Sequence, residues 1–302
     1  MEFGRLEREL VPGELRLPPD PSRNVAFGER HVQSGRAAFQ KYVGLPVWAN
    51  DGFVGPLYPE GTPKTHYLRE YAKRCNAIEL DATFYAVPTF ERAKAWADET
   101  PEGFRFCPKV PKGLSHAHEL NRTMLDAFIA GIQGFGDRLG PCFLQLPDWA
   151  GPEHKRALFN LLEALPTSHR FAVEVRHPSW FQDRATFDRF SDYLEKKCIT
   201  FVITDAPSRR DVLHMALTAP STFVRFLGSG HADEDARRID EWRSRIETWQ
   251  KLGATDHHFF VHYANEVEGV PFVDAMARDT MRETDKGAPK EPQAASFEPV
   301  VG

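Results

Sequence analysis

Glu79, Asp81 and Glu174 each alternate with apolar neighbours, in Ile78-Glu79-Leu80-Asp81 and Val173-Glu174-Val175-Arg176. Period-two alternation is the mark of a strand whose two faces meet different surroundings. The same pattern opposes Arg105 and Lys109 to Phe104 and Phe106, Gln145 to Leu144 and Leu146, Arg225 to Val224 and Phe226, and His262 to Val261 and Tyr263. Carboxylates gathered with cations on one face have their proton affinities tuned by each other, which suits general acid/base work. Paired arginines grip a carboxylate or phosphate. On these grounds Glu174 is expected as general acid or base, Lys109 as the group that stabilises developing negative charge, and Glu79 and His116 as aids to proton transfer. Arg176 and Arg225 are expected to hold an anionic part of a small-molecule substrate.

The segments after the apolar runs supply further candidates. They include Thr83-Phe84-Tyr85, Pro111-Lys112-Gly113-Leu114-Ser115-His116, Pro147-Asp148-Trp149, His177-Pro178-Ser179-Trp180, Asp205-Ala206-Pro207 and Asn265-Glu266. Aromatic walls with a few convergent polar groups describe a small-molecule site. Gln145, Tyr85, His177, Trp180, Asp205 and Asn265 are therefore expected to line it. A metal variant would take Glu79, Glu174, His177, Asp205 and His262 as donors. Lys109 and Arg176 would repel a divalent cation there, and no H-E-x-x-H spacing occurs. A divalent metal is thus not favoured, no metal ligand is assigned, and the cofactor stays open.

Such residues need elements to place them. Apolar runs read as strands near 41–48, 76–82, 104–109, 141–146, 170–176, 199–204, 221–227 and 257–263. Helical spacing fills 65–74, 89–99, 122–136, 153–164, 182–197 and 235–252. Thr89 before Phe90-Glu91-Arg92 is a helix cap, and Pro101-Glu102-Gly103 ends that helix. Strict alternation of strand and helix predicts a parallel sheet, and eight units of this size predict a single (β/α)8 TIM-type barrel in the α/β class. A doubly wound open sheet is the alternative, but no G-x-G-x-x-G follows a strand. In the barrel, the polar strand faces point inward near the carboxyl ends, where sites of this fold form.

The rest of the chain bounds these expectations. Its 302 residues carry 38 Lys and Arg against 43 Asp and Glu, a net charge of −5, with both signs mixed. That balance argues against a dedicated polyanion binder but leaves a local basic groove open; Arg209-Arg210 and Arg237-Arg238 keep nucleic acid as a less favoured partner. Residues 1–40 read as an extended or partly ordered N-terminal arm, 41–282 as the barrel and 283–302 as a polar tail. No apolar run is long enough for a membrane span and no secretory leader opens the chain, so a cytoplasmic, membrane-free protein is expected. Four dispersed cysteines lack any C-x-x-C pair, as for thiols in a reducing compartment.

From about Tyr42 to Asn265 the chain resembles the YecE-like family, domain of unknown function family 72. The marks are Gly44 and Trp48, Leu57-Tyr58-Pro59, Ile78-Glu79-Leu80-Asp81-Ala82-Thr83-Phe84-Tyr85, Trp96, and Pro101-Glu102-Gly103-Phe104-Arg105-Phe106 leading to Lys109. They continue through Ser115-His116, Leu144-Gln145-Leu146-Pro147, Glu174-Val175-Arg176-His177-Pro178-Ser179-Trp180, Asp205, Val224-Arg225-Phe226-Leu227-Gly228 and Asn265. The resemblance implies a TIM barrel and no assigned activity. The chain departs from the family pattern at Asp81, often asparagine, and at Leu227, often histidine. An enzyme acting on a small polar or anionic substrate is the leading expectation. A nucleic-acid-processing or nucleic-acid-binding protein, or a ligand-binding module without chemistry, is the alternative.

Overall fold

A computed structural model describes residues 13–31 and 39–277. Its strands are β1 (Gln40–Gly44), β2 (Ala77–Leu80), β3 (Arg105–Pro108), β4 (Cys142–Gln145), β5 (Phe171–Glu174), β6 (Thr200–Phe201), β7 (Ile203–Asp205), β8 (Ser221–Leu227) and β9 (Asp256–His262). Its α-helices are α1 (Arg23–His31), α2 (Tyr67–Arg74), α3 (Phe90–Asp98), α4 (Lys112–Ser115), α5 (Arg122–Ile132), α6 (Lys155–Ala164), α7 (Ser179–Gln182), α8 (Arg184–Lys196), α9 (Ala232–Lys251) and α10 (Val270–Ala277). Each expected strand has its counterpart, and the sixth is split into β6 and β7 around Val202.

Every strand pairing among the described residues is parallel. The strands form three sheets, ordered β1-β9-β8-β7, β2-β3 and β4-β5-β6. Bridges from Phe106 to Leu139 and from Lys109 to Phe143 join β3 to β4. The Glu79 amide donates to the Leu45 carbonyl at 3.3 Å, tying β2 to the chain after β1. Thr200 Oγ1 donates to the Ser221 carbonyl at 3.0 Å, tying β6 to β8. The α/β class with parallel sheets is therefore as expected.

Local chemistry explains the helix starts. Thr89 accepts from the Arg92 amide, Asn121 from the Met124 amide, and Asp183 from the Ala185 and Thr186 amides. Each cap satisfies a backbone donor that has no partner within its helix. Asp233, Glu234 and Asp235 sit in the first turn of α9, where acids suit the helix dipole.

Two apolar layers result. The larger lies between strands and helices and includes Ile78, Leu80, Phe104, Phe106, Leu144, Val173, Val224 and Val261. The smaller holds Tyr42, Ala77, Cys107, Phe143, Ala172, Val202, Phe223 and Phe260, supplied by the successive strands and by Val202 between β6 and β7. Two residues further along the chain stand Gly44, Glu79, Lys109, Gln145, Glu174, Thr204, Arg225 and His262. Since side chains repeat every two residues, this polar set continues the small layer's face. Gly44 is the exception because its neighbours leave no room: a Cβ there would lie 1.9 Å from the Ala77 carbonyl oxygen and 2.7 Å from the Tyr71 hydroxyl.

Part of the arm, expected as extended or partly ordered, is ordered where it is described. Residues 23–31 are helical, with Asn24, Phe27 and Gly28 buried. Asn24 donates to the Met215 carbonyl at 2.7 Å and accepts from the Leu217 amide at 2.9 Å, so amide pairing to the body orders a stretch of weak periodicity. The tail, 283–302, lies outside the described residues.

Candidate functional site

Arg225 is the hub of the polar layer and is fully buried. From β8 its Nε and Nη2 donate to Glu79 on β2 at 3.0 and 2.7 Å, and its Nη1 donates to Glu174 on β5 at 2.9 Å. Nη1 also reaches Gln145 Oε1 at 3.4 Å. Glu174 Oε1 accepts from Arg176 Nε at 2.6 Å and from Thr204 Oγ1 at 2.8 Å. The guanidinium lies over the Phe143 ring, 5.5 Å from its centroid. Three strands separated widely in sequence thus converge on one cation.

This pairing sets the ionisation of both carboxyls. Burial pushes Glu79 up, but Arg225 and His262 outweigh it and hold the carboxyl well below the usual range. Burial also pushes Glu174 up, and Arg176 and Arg225 bring it down to about 2. Burial disfavours the Arg225 cation, while Glu174 and Glu79 more than compensate and raise its pKa. Both acids are therefore anions whose oxygens are occupied by hydrogen bonds. Glu174 is placed as a frame member, a poor proton acceptor at neutral pH.

Lys109 and His262 complete the layer. Lys109, nearly buried, puts Nζ 2.9 Å from half-buried Asp81 Oδ1 and over the Phe84 and Phe143 rings, 4.8 and 5.4 Å from their centroids. His262, 4% exposed, has Nε2 3.1 Å from Glu79 Oε2. An ionised carboxylate only accepts, so in the neutral imidazole Nε2 carries the proton and Nδ1 is the acceptor. Nδ1 has no hydrogen-bond partner among the described residues. His262 and Asp81 both line a cleft of about 440 Å³ whose walls include Trp48, Tyr85, Leu227, Tyr263 and Glu266. Gly228 lies flat against Tyr263, where a Cβ would come within 2.2 Å of the ring.

The expected loop residues divide. Tyr85 is at the cleft and 83% exposed. His116 packs edge-on to Phe84 at 5.3 Å and contacts Ser115 Oγ; burial, then Lys112 and Lys109, lower its pKa. His177 contacts Ser179 Oγ at 2.6 Å, a local bond. Asn265 caps the turn Glu266–Gly269 beside the cleft.

Two expectations are corrected. Trp180 is buried beside Phe190 and donates to the Ala150 carbonyl at 2.8 Å, so it belongs to the shell under the helices. Asp205 shares its strand face with Ile203 and points outward. It pairs with Arg238 of α9 at 2.9 Å, with Arg210, and accepts from Trp242 at 2.8 Å. Burial raises its pKa, but Arg238 and Arg210 outweigh that and lower it. Thr204, its neighbour on the opposite face of β7, bonds Glu174 and is not among the expected site residues. The parity of Val202 and Thr204 against Ile203 and Asp205 carried the signal for it.

The basic pairs are each matched by acids of the chain, Arg238 in the interior and the others nearer the surface: Arg209 meets Asp211, Arg210 meets Asp205, Arg237 meets Glu234 and Glu241, and Arg238 meets Asp205 and Asp235. Among the described residues no group of three or more His, Cys, Asp or Glu side chains is arranged to hold a metal ion. The donor set considered above is divided, with Asp205 against α9 and Glu79 and Glu174 saturated by arginine. Cys75, Cys107 and Cys142 are buried and free, whereas Cys198 is exposed. No helix among the described residues is long and apolar enough to cross a membrane.

Comparison with known proteins agrees with this architecture. Residues 42–296 match the model for the protein of unknown function family DUF72. The chain is 28% identical over 279 residues to the UPF0759 protein YecE of Escherichia coli K12, covering 85% of this chain and 99% of that one. It is 28% identical over 153 residues to the UPF0759 protein YunF of Bacillus subtilis, covering 46% of this chain and 52% of that one. A DUF72 family crystal structure from Enterococcus faecalis superposes with a TM-score of 0.66 at 19% identity, over 79% of this chain and 94% of the other. One from Thermotoga maritima gives 0.63 at 21%, over 81% and 99%.

Proposed function

The chain belongs to the DUF72 family, and for this member we propose a TIM-type barrel that binds a small polar molecule at the carboxyl ends of its strands and acts on it by acid/base chemistry. In this reading the three sheets close into one ring and the cleft is its mouth. The observation that carries it is the His262–Glu79 pair: one ring nitrogen is held by an anion, and the other lines the cleft. A carboxylate that fixes the tautomer and orientation of an imidazole prepares it as a proton acceptor. Arg225 holds Glu79 in place, Glu174 holds Arg225, and Gln145, Thr204 and Arg176 complete the frame. Asp81, in the cleft wall and held by Lys109 at 2.9 Å, supplies a second acceptor. The proton-transfer role expected of Glu174 thus passes to His262.

Cytoplasmic residence belongs to the same reading, since buried free thiols suit a reducing compartment. Binding without turnover is the second reading. Leu227 in the cleft wall favours it, because it places an apolar side chain where a further polar group would serve chemistry. Thermal-shift screening against sugars, phosphates and organic acids, followed by turnover assays on the hits, separates the two. Turnover abolished in His262→Gln with ligand binding retained supports the enzyme. Binding with no turnover in wild type supports the module, and turnover unchanged in His262→Gln overturns the assignment of His262.

A further inference from the structure

We infer that the ligand of this cleft is a neutral polyhydroxylated compound of monosaccharide to disaccharide size, and not an anion. The inference rests on the reading of the cleft as a binding site and narrows its substrate class. It comes from the hydrogen-bonding sense of the cleft's polar side chains. Asp81 and Glu266 are carboxylates, and His262 in its neutral form, with Nε2–H donated to Glu79, offers Nδ1 as an acceptor. Among the described residues that line the cleft there is no lysine or arginine. The cations nearby are each matched from within: Lys109 by Asp81, Arg225 by Glu79 and Glu174, Arg176 by Glu174. An incoming carboxylate or phosphate would meet the Asp81 and Glu266 carboxylates and no uncommitted cation, with only the Tyr85 hydroxyl and the Trp48 indole N–H as side-chain donors, so its desolvation would be poorly compensated.

Hydroxyl groups supply what these acceptors need. Each O–H can donate to a carboxylate or to the imidazole without bringing a charge that requires neutralising. The walls fit the other side of such a molecule. Tyr85, 83% exposed, and Trp48 present aromatic surface at the cleft, and the C–H face of a pyranose or furanose ring packs on such surface. The volume of about 440 Å³ accommodates one or two such rings. A cationic amine is less suited to the inner end, because Asp81 is already paired with the Lys109 ammonium at 2.9 Å. Leu227, apolar in the wall, leaves Asp81, Glu266 and His262, with the Tyr85 hydroxyl and the Trp48 N–H, as the groups that orient the ligand.

The test is a titration of the full-length protein, with its histidine side chains labelled with nitrogen-15, followed by nuclear magnetic resonance. The probes are D-glucose, D-xylose and maltose, with inorganic phosphate and pyruvate as anions and choline as a cation. His262→Gln identifies the His262 resonance. The expected result is a saturable shift of that resonance with at least one sugar, and affinity reduced about tenfold or more in Asp81→Asn and Tyr85→Ala. A saturable shift with phosphate or pyruvate, or with choline, and none with sugars overturns the neutral class while leaving the cleft as a ligand site. No shift at His262 with any probe overturns this inference and removes the support for the cleft as well. Circular dichroism of each variant distinguishes lost binding from lost fold.

Discussion

Replacing Arg225 by methionine removes a single cation from a fully buried position where it serves two carboxylates. Glu174 keeps Arg176 at 2.6 Å and Thr204 at 2.8 Å, so its charge stays compensated. Glu79 keeps only His262 at 3.1 Å. The variant is therefore left with about one uncompensated buried charge, and breaking a buried pair in this way costs about 3–5 kcal/mol. For a domain of this size that is a fall in melting temperature of about 8–15 °C. The pH dependence carries more information than the loss itself. In the wild type, Glu79's folded pKa is depressed, so its stabilisation is complete above the unfolded carboxyl value and is lost as pH falls through the folded one. Without Arg225, burial dominates and raises the carboxyl above its unfolded value. Folding then takes up a proton, and the variant loses stability as pH rises. The gap between the two proteins should be widest near pH 7.5 and should narrow towards pH 4.5. Urea unfolding at both pH values measures it, and Glu79→Gln combined with Arg225→Met should recover part of the loss at the higher pH. A loss below about 1 kcal/mol, or one equal at both pH values, would refute the assignment of Arg225 as the charge that keeps Glu79 ionised.

Three further outcomes follow from the same geometry. Thr204→Val removes the hydroxyl bonded to Glu174 while keeping the shape, and should lower unfolding free energy by about 1.5–3 kcal/mol in urea titrations, the worth of a hydrogen bond to a charged group. Asp205→Asn should destabilise by about 3 kcal/mol because Arg238 and Arg210 lose their shared anion. The folded variant should bind any cleft ligand with wild-type affinity in calorimetry, since Asp205 faces α9. His214 and His258 are buried, which lowers their pKa values to about 3 and about 4. Both are neutral in folded and unfolded chains above about pH 6.5, and the unfolded chain protonates first below it. Stability should therefore fall as pH drops from 6.5, by about 1.4 kcal/mol per pH unit for each histidine, and His214→Phe should flatten that slope by one proton in urea titrations between pH 6.5 and 4.5.

The polar network shows how far the residues could be read before the fold was known. Glu79, Lys109, Gln145, Glu174, Arg225 and His262 share one face by parity, and in the fold they stand two residues beyond a continuous apolar layer. Trp180 and Asp205 escaped the reading because each was assigned by its place after a strand. Their surroundings come from elsewhere: Trp180 meets Ala150 and Phe190, and Asp205 meets α9. Asp205 had a parity signal of its own, since it follows Ile203 by two, but an acid on an outward face is tolerable only when a helix brings an arginine to it. The order of α1 was illegible for a similar reason: its anchors, Met215 and Leu217, lie 191 and 193 residues away from Asn24.

Strand faces, helix caps and the family relationship belong to the chain as written. Alternation and capping depend on neighbours within a few residues, so local covalent geometry suffices to determine them. Which charge meets which was decided only on folding. Arg225 and Glu79 are 146 residues apart, and their contact depends on the register of β8 and β2 within different sheets. The same holds for the state of Glu174: a carboxylate on an inner strand face can be a base or a brace, and the two arginines packed against it make it a brace. Electrostatic energies at these distances vary with fractions of an ångström and with burial, quantities that exist only once distant segments have packed together.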